Sequence, residues 1–124
     1  IINFKEIRQG WRAESVPDQQ IYFSESDVQK AILQAAIKSP LVAWISRNNV
    51  GSYRKDKQVI TYGLGTGSSD LVGQLTDGRF LAIEVKHQGS PSDDQILFVN
   101  RIKMHGGCAG VCWSVGDFEK LVNA

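Results

Sequence analysis

The sequence lacks the long apolar runs of a membrane protein. None of its apolar stretches approaches the roughly 20 residues that a membrane-spanning helix needs, and no secretory signal is visible at the N-terminus. Hydrophobic residues nevertheless make up 42% of the 124 residues, which is enough for one domain with a modest core. We therefore expect a single domain over residues 1–124, without membrane attachment.

Cysteine is nearly absent, which limits the covalent and metal chemistry that the chain can support. Its two cysteines are Cys108 and Cys112. On one strand they would share a face but lie about 13 Å apart, which is too far for a disulfide. A zinc site would need further ligands close by, and none is evident. Both are predicted to be small core residues, and a reducing, cytoplasmic location is compatible with this.

The chain also lacks an excess of charge of either sign, since its formal net charge is +1. A surface for nucleic acid must therefore come from a local cluster or from a dimer. The densest cationic cluster is Arg54, Lys55 and Lys57, at the tip of a predicted hairpin. Phosphate contact and a solvated turn are equally good interpretations of it. The glycine-rich segment 63–69 lacks the Gly-Lys-Ser/Thr ending of a phosphate-binding loop, so no nucleotide cofactor is expected.

Capping and breaking signals predict an α/β fold. Ser24 is the predicted N-cap of a helix, with Asp27 as its capping-box partner, and Pro40 ends that helix. Ser92 caps a second helix, which ends at Gly106-Gly107. The predicted order is helix, three or so strands, helix, strand, in a mixed sheet flanked by helices. The extended segments are 41–46, 52–62, 71–75, 80–86 and 109–115, a short helix is predicted over 117–122, and the buried face of the first helix is Val28, Ile32 and Ala35.

Charged residues stand where a buried strand should be apolar. The run Phe80-Leu81-Ala82-Ile83-Glu84-Val85-Lys86 ends on a carboxylate and an ammonium two residues apart, on one face of the strand. Asp70 opens the preceding apolar run. Charges are rarely buried unless they are paired or bind metal. A surface pair that contributes little to stability is the alternative interpretation of Glu84 and Lys86.

The turn between the two runs decides whether the carboxylates meet. A two-residue hairpin at Asp77-Gly78 would set Asp70 opposite Val85, on the wrong face. A three-residue loop from Thr76 to Gly78 sets Asp70 opposite Glu84, and such loops usually place their third residue in the left-handed region that glycine favours. Because Gly78 occupies that third position, the sequence favours the register in which the carboxylates converge.

Two converging carboxylates are typical ligands of a hard divalent cation such as Mg²⁺. The main-chain carbonyl of Val85 is a candidate further ligand. Lys86 could orient an attacking water and stabilise developing negative charge. Glu25, in the first turn of the first predicted helix, is a candidate additional carboxylate that we expect to point toward the core end rather than into open solvent.

These residues resemble the PD-(D/E)XK nuclease superfamily, and more closely its virus-type replication-repair nuclease domain, the VRR-NUC family. The matching run is Gly67-Ser68-Ser69-Asp70-Leu71 followed by Asp77 to Lys86, with Gln95 at the position of the family's helical Gln. Glu25 matches the acidic residue of the family's first helix. The resemblance covers about residues 24–115. Ser69 stands where the family often has Pro, and residues 1–23, which allow a short helix, have no assigned counterpart.

The resemblance implies a restriction-endonuclease-like core and a Mg²⁺- or Mn²⁺-dependent nuclease acting on structured DNA. Short stand-alone members, typical of bacteriophages and hence of a bacterial cytoplasm, resemble Holliday-junction resolvases and work as homodimers. Flap cleavage, single-strand nicking and a catalytically silent junction-binding module are the alternatives. A sequence-specific restriction-type enzyme would need recognition elements for which the chain hardly has room. His87 could approach substrate phosphate, or it could be an ordinary loop histidine.

Overall fold

The computed structural model describes residues 2–124 as an alternation of helices and strands. Asparagine, serine and glycine residues mark many of the element boundaries, and side chains of Asn3, Ser24, Ser92 and Ser114 cap the four helices of this part of the chain. The elements are α1 (Phe4–Ala13), α2 (Glu25–Lys38), β1 (Val42–Arg47), β2 (Gly51–Lys55), β3 (Gln58–Tyr62), β4 (Leu71–Leu75), β5 (Phe80–Val85), α3 (Asp93–Met104), β6 (Cys108–Cys112) and α4 (Val115–Val122).

The central sheet has the strand order β1-β4-β5-β6 and is mixed, which confirms the predicted α/β class. β1, β4 and β5 are antiparallel neighbours, whereas β5 and β6 run parallel because α3 carries the chain back across the sheet. Leu81, Ile83 and Val85 pack into a core with α2 and α4 on one face of β5. Ala82 packs with α3 on the other face. Both faces of β5 are therefore covered. The face that carries its even-numbered residues, such as Ala82, packs against α3.

The turn between β4 and β5 has the predicted three-residue form. Leu75 donates its N–H to the carbonyl of Arg79 at 2.9 Å, closing a loop of residues 76–78. Gly78 has a φ of +93°, in the region that favours glycine. Leu71 pairs with Ile83 in the resulting register, so Asp70 falls in line with Glu84.

Two details of the predicted elements differ in the structure. The fully buried face of α2 is Val28, Ile32 and Ala36 rather than Ala35, since a helix repeats every 3.6 residues and four-residue steps from Val28 stay on the core side. The last strand ends at Cys112 rather than at residue 115, because Ser114 accepts the Asp117 N–H and starts α4 there.

The segment 51–62 is not part of the central sheet. It forms a separate two-stranded sheet of β2 and β3, so five strands precede α3 where three or so were predicted. The cysteines are free and buried, as predicted. Within residues 2–124, no helix combines the length and apolar character that crossing a bilayer would require.

Residues 14–23, which we call the N-terminal arm, are held by the start of α4. The buried carboxylate of Asp117 accepts hydrogen bonds from the Trp113 N–H at 2.8 Å and from the Ser15 hydroxyl at 2.7 Å. The Ser114 hydroxyl donates to the Val16 carbonyl at 2.6 Å. Contacts between the two ends of the chain therefore complete the fold.

Candidate active site

Glu84 is the most deeply buried charged residue of the described part of the chain, with 1% of its surface exposed. It lies on the even-numbered face of β5, under the start of α3. Its Oε1 accepts a hydrogen bond from Gln95 Nε2 at 2.9 Å and lies 4.0 Å from Lys86 Nζ. Its Oε2 is buried and has no hydrogen-bond partner among residues 2–124. A buried oxygen without a partner is costly and calls for an explanation.

Asp70 reaches the same strand end from β4. Its Oδ2 accepts a hydrogen bond from the Val85 N–H at 2.8 Å, which holds the carboxylate beside the backbone that follows Glu84. The converging register predicted from the turn length is thus confirmed. The Lys86 side chain, which is 17% exposed, brings its ammonium group to the Glu84 carboxylate at the same strand end.

The electrostatics of this group favour a bound cation. Burial, and after it the negative charge of Asp70, raises the pKa of Glu84 to about 9. Lys86 acts in the opposite direction but does not compensate for these two effects. A cation next to both carboxylates would offset the repulsion and satisfy the free Oε2, so the residues fit a divalent metal with oxygen ligands.

The protein ligands in this set are few. No group of three or more His, Cys, Asp and Glu side chains within residues 2–124 is close enough together to hold a metal. Asp70 and Glu84 would therefore supply one or two carboxylates and leave the remaining positions to water, to substrate phosphate and to the Val85 carbonyl. Mg²⁺ is commonly bound in this way, whereas zinc usually takes three or four protein ligands.

Glu25 is exposed in the structure, so the expectation that it points away from open solvent was wrong. It is the first residue of α2, and the N-terminal turn of that helix lies beyond the buried stripe that begins at Val28. Its negative charge still contributes to the raised pKa of Glu84, although less than burial and Asp70 do. The structure therefore places Glu25 at the rim of the site rather than beside Asp70.

Gln95 connects the carboxylate to the start of α3. Its Oε1 accepts the N–H of Ser92 at 2.8 Å, which completes a capping box, while its Nε2 donates to Glu84. The cap fixes which end of the amide faces the strand, because only the amide nitrogen can donate to a carboxylate. The Ser92 cap and the Gly106-Gly107 ending predicted the helix, and the bond to Glu84 shows what its third residue does.

A family model adds an independent observation to this geometry. The model of the VRR-NUC domain matches residues 5–116, which is nearly the whole described chain and includes most of α1. The chain belongs to the VRR-NUC family. It is therefore a nuclease domain of the PD-(D/E)XK type, a class of hydrolase that acts on DNA. No match to this chain is found among curated proteins.

The VRR-NUC match begins within α1, although residues 1–23 had no counterpart in the resemblance drawn from the motifs. The motifs lie around Asp70 and Glu84, so they carry no information about a helix that packs through Trp11 near the buried Ala82 and Val99.

The predicted DNA-contacting residues of this VRR-NUC domain lie in two different places. Arg54, Lys55 and Lys57 are exposed at the tip of the β2–β3 hairpin. His87 instead donates from Nε2 to the Tyr22 carbonyl at 2.9 Å, in a depression that it shares with Asp18 and Trp113. The structure therefore connects His87 to the N-terminal arm and does not bring it to the hairpin.

A polar cleft of about 630 Å³ opens beside Asp70 of this VRR-NUC domain. Asp70 and Gln95 line one side of it, Gln29 of α2 contributes a wall, and Val50 and Tyr62 lie at the base of the hairpin. The lining is mainly polar, as a surface for a sugar-phosphate backbone would be. Asn48, Asn49, Gly67 and Ser68 complete the lining.

Asn48 is a site residue that the sequence did not reveal. Its Nδ2 donates to the Ser68 hydroxyl at 2.8 Å and to the Ser69 carbonyl at 2.9 Å, and its backbone N–H donates to the Asp70 carbonyl at 2.8 Å. Its Oδ1 accepts from the Leu64 N–H at 3.2 Å. The sequence indicated only a turn at this position, because all of these partners lie 16 or more residues further along the chain.

Proposed function

We propose that this VRR-NUC chain is a Mg²⁺-dependent DNA endonuclease, with Mn²⁺ able to substitute, that resolves four-way junctions as a homodimer. One observation carries the metal-dependent part of this proposal. Glu84 and Asp70 converge at one strand end, and a buried Glu84 oxygen has no partner there. A second carboxylate and an ammonium at such a position have little structural use, but together they suit phosphodiester hydrolysis.

Each residue has a distinct role in the proposed mechanism. Asp70 and Glu84 would hold the metal, together with the Val85 carbonyl. The bound metal would polarise the phosphate and lower the pKa of an attacking water. Lys86, 4.0 Å from Glu84, would orient that water and stabilise the negative charge that develops on the phosphate.

The surrounding residues would position this group. Gln95 holds Glu84 in place through a hydrogen bond that also belongs to the helix cap. Glu25, at the rim, would act through its charge or through a water. Arg54, Lys55 and Lys57 would contact backbone phosphates, which position DNA without reading its sequence.

Four-way junctions and a homodimer are proposed together because symmetric incision of a junction needs two active sites. A two-fold symmetric pair of sites suits symmetric incision across a junction. A net charge of +1 for each chain is weak for a nucleic-acid binder, and a dimer would double it. In this assembly each chain acts as one nuclease domain.

Cleavage of a panel of labelled DNAs tests the proposal. Four-way junction, flap, single-stranded and plain duplex DNA are incubated with Mg²⁺, with Mn²⁺ and with a chelator. We expect metal-dependent product that is greatest from the junction, and a dimer mass by light scattering. Product from flap or single-stranded DNA by a strict monomer would favour the nicking alternative, product from plain duplex alone would exclude junction selectivity, and no product from any DNA would favour the silent binding module.

Variants of the metal site give the first specific prediction. Asp70→Asn and Lys86→Ala should each reduce cleavage by at least 10³-fold, because electrostatic stabilisation and water activation both depend on them. Folding, followed by circular dichroism, and junction binding, followed by gel shift, should be largely retained. Lys38→Ala, at the exposed end of α2, is the matched charge control and should cleave normally. Retained activity in either site variant would remove that residue from the mechanism.

A further inference from the structure

The β2–β3 hairpin stands apart from the rest of the fold. Its two strands pair only with each other among the described residues, and residues 52–59 are all exposed. An isolated two-stranded hairpin is at best marginally stable in water. The exposed large side chains of this hairpin are therefore a candidate binding surface.

Strand register divides the hairpin into two different faces. Cross-strand partners share a face, so the pairs Tyr53–Ile60 and Gly51–Tyr62 lie together on one of them. The other face carries the Arg54–Val59 pair. Tyr53 and Tyr62 are 52% and 50% exposed, and as diagonal neighbours on one face they form what we call the tyrosine face.

Gly51 shows how the Tyr62 ring is placed. A Cβ at position 51 would lie 2.2 Å from Tyr62 Oη and 2.5 Å from Cζ, closer than real contacts allow. The ring therefore lies across the bare backbone of Gly51, and half of the Tyr62 surface stays exposed. An aromatic ring held against a strand in this way is a preformed platform for stacking.

The platform borders the polar cleft of the candidate active site. Tyr62 lines this cleft together with Asp70 and Gln95. At the opposite end of the hairpin, the tip carries three cationic side chains against the single carboxylate of Asp56. The net charge of this hairpin alone exceeds the +1 of the whole chain.

Aromatic platforms combined with cationic side chains are the usual means of binding single-stranded nucleic acid, where each stacked base contributes about 1–3 kcal/mol. We propose that the tyrosine face stacks an unpaired or unstacked base at the branch point of the DNA, beside the phosphate to be cleaved. This inference rests on the proposed nuclease function, and it specifies which feature of a branched substrate is recognised. A purely apolar partner surface would not account for the cationic tip.

A fluorescent base analogue tests the proposal directly. 2-Aminopurine is placed at the branch point of a four-way junction and of a forked duplex, and, as a reference, in the middle of a paired arm. Binding is measured with Ca²⁺ in place of Mg²⁺, and a gel confirms that the DNA stays intact. We expect the wild-type protein to change the fluorescence at the branch point and not in the arm.

Three variants assign that signal to the tyrosine face. Tyr62→Ala should abolish the fluorescence change and weaken binding about 5- to 100-fold. Tyr62→Phe, which keeps the ring, should stay within about twofold of wild type. Val59→Ala is the matched control, because Val59 is 61% exposed on the opposite face, and it should behave as wild type.

The outcomes separate this inference from the proposed function. Wild-type fluorescence and binding in Tyr62→Ala, with metal-dependent cleavage intact, would overturn the stacking proposal alone. A change from dimer to monomer mass in Tyr62→Ala, with unchanged binding per chain, would instead make the face an interface between copies and would also overturn it. Tyr62-dependent fluorescence without cleavage of any DNA would support the stacking surface and reject the nuclease proposal.

Discussion

At the scale of single residues, Gln95 has the most demanding role. Its carbonyl oxygen closes the cap of α3 and its amide nitrogen holds Glu84. A hydrogen bond to a charged group is worth about 1.5–3 kcal/mol, and here its partner is buried. The orientation of the Glu84 carboxylate therefore depends on an amide whose other end is already fixed by the backbone of Ser92.

Substitutions at the two ends of this amide should have separable effects. Gln95→Glu keeps an oxygen for the Ser92 N–H but removes the donor to Glu84, so we expect activity to fall about 10- to 150-fold while the helix cap is kept. Steady-state cleavage of the preferred DNA measures this loss.

Ser92→Ala is the control for the cap alone. It should lower the free energy of unfolding by about 1 kcal/mol and leave the activity of the folded protein near that of wild type. A Gln95→Glu enzyme as active as wild type would show that Glu84 does not need this donor.

At the scale of elements, the loop before β4 is fixed by a residue that precedes the hairpin. Asn48 bonds to the Ser68 hydroxyl and the Ser69 carbonyl, and through its own N–H to the Asp70 carbonyl. A glycine-rich loop would otherwise be free to move. The position of the Asp70 carboxylate thus depends on the end of β1 as well as on β4.

Asn48→Ala should therefore make the loop that precedes Asp70 more mobile and the position of the Asp70 carboxylate less well defined. We expect a decrease of about 1–3 kcal/mol in unfolding free energy, because buried partners lose their hydrogen bonds, and a fall in kcat larger than the change in KM. Denaturant unfolding and steady-state kinetics measure the two effects.

Asn49→Ala provides the stability comparison. Because Asn49 is exposed, the melting temperature of this variant should match that of the wild-type protein. If Asn48→Ala keeps wild-type stability and kcat, the loop is held by other contacts.

Local rules account for the parts of the fold that the sequence predicted. Gly78 and the two-residue repeat of strands determine the register of Asp70 against Glu84, and caps such as Ser24 and Ser92 determine where helices begin. The separate hairpin sheet and the hydrogen bonds of Asn48 to residues 68–70 were not predictable, because they depend on which distant parts of the chain meet. The predicted orientation of Glu25 was wrong for a related reason. The apolar pattern of α2 indicates which face of the helix is buried, but not how far toward the N-terminus the core covers that face.

At the scale of the whole molecule, the N-terminal arm packs against α4 through polar contacts. Asp18 accepts hydrogen bonds from the Gly116 N–H at 3.0 Å and from the Tyr22 hydroxyl at 2.8 Å. Tyr22 in turn accepts the Val115 N–H at 3.0 Å. Burial raises the pKa of Tyr22 to about 12, against the lowering effect of the Val115 N–H and with smaller raising contributions from Asp18 and Asp117, so its hydroxyl remains a donor at all physiological pH values.

The stability of this docking should depend on pH in a defined direction. Burial would raise the pKa of Asp18, but hydrogen bonds from Gly116, Tyr22 and Gln20 together hold it below its usual value. A lowered folded-state pKa gives stability that is fully present above the unfolded-state pKa of about 3.9 and is lost as the pH falls through the folded-state value.

We expect Asp18→Asn to have a lower melting temperature than wild type at pH 5–7, by roughly 3–6 °C for each kcal/mol lost. The difference should shrink below about pH 4, where the wild-type carboxyl also becomes neutral. Calorimetry across this range tests it, with Tyr22→Phe, which removes one donor to Asp18, expected to reduce the pH-dependent part. A difference that persists unchanged at pH 2–3 would mean that the charge of Asp18 does not contribute.

The contact between Ser15 and Asp117 joins residues 102 positions apart, and this separation has a consequence for synthesis. The ribosome makes the N-terminal arm well before α4, which holds its hydrogen-bond partners. β6, which completes the sheet beside β5, also follows late. We therefore expect the nascent chain to remain without an assembled site until residues 108–122 have left the ribosome, so that no DNA-cutting activity arises from a shorter nascent polypeptide.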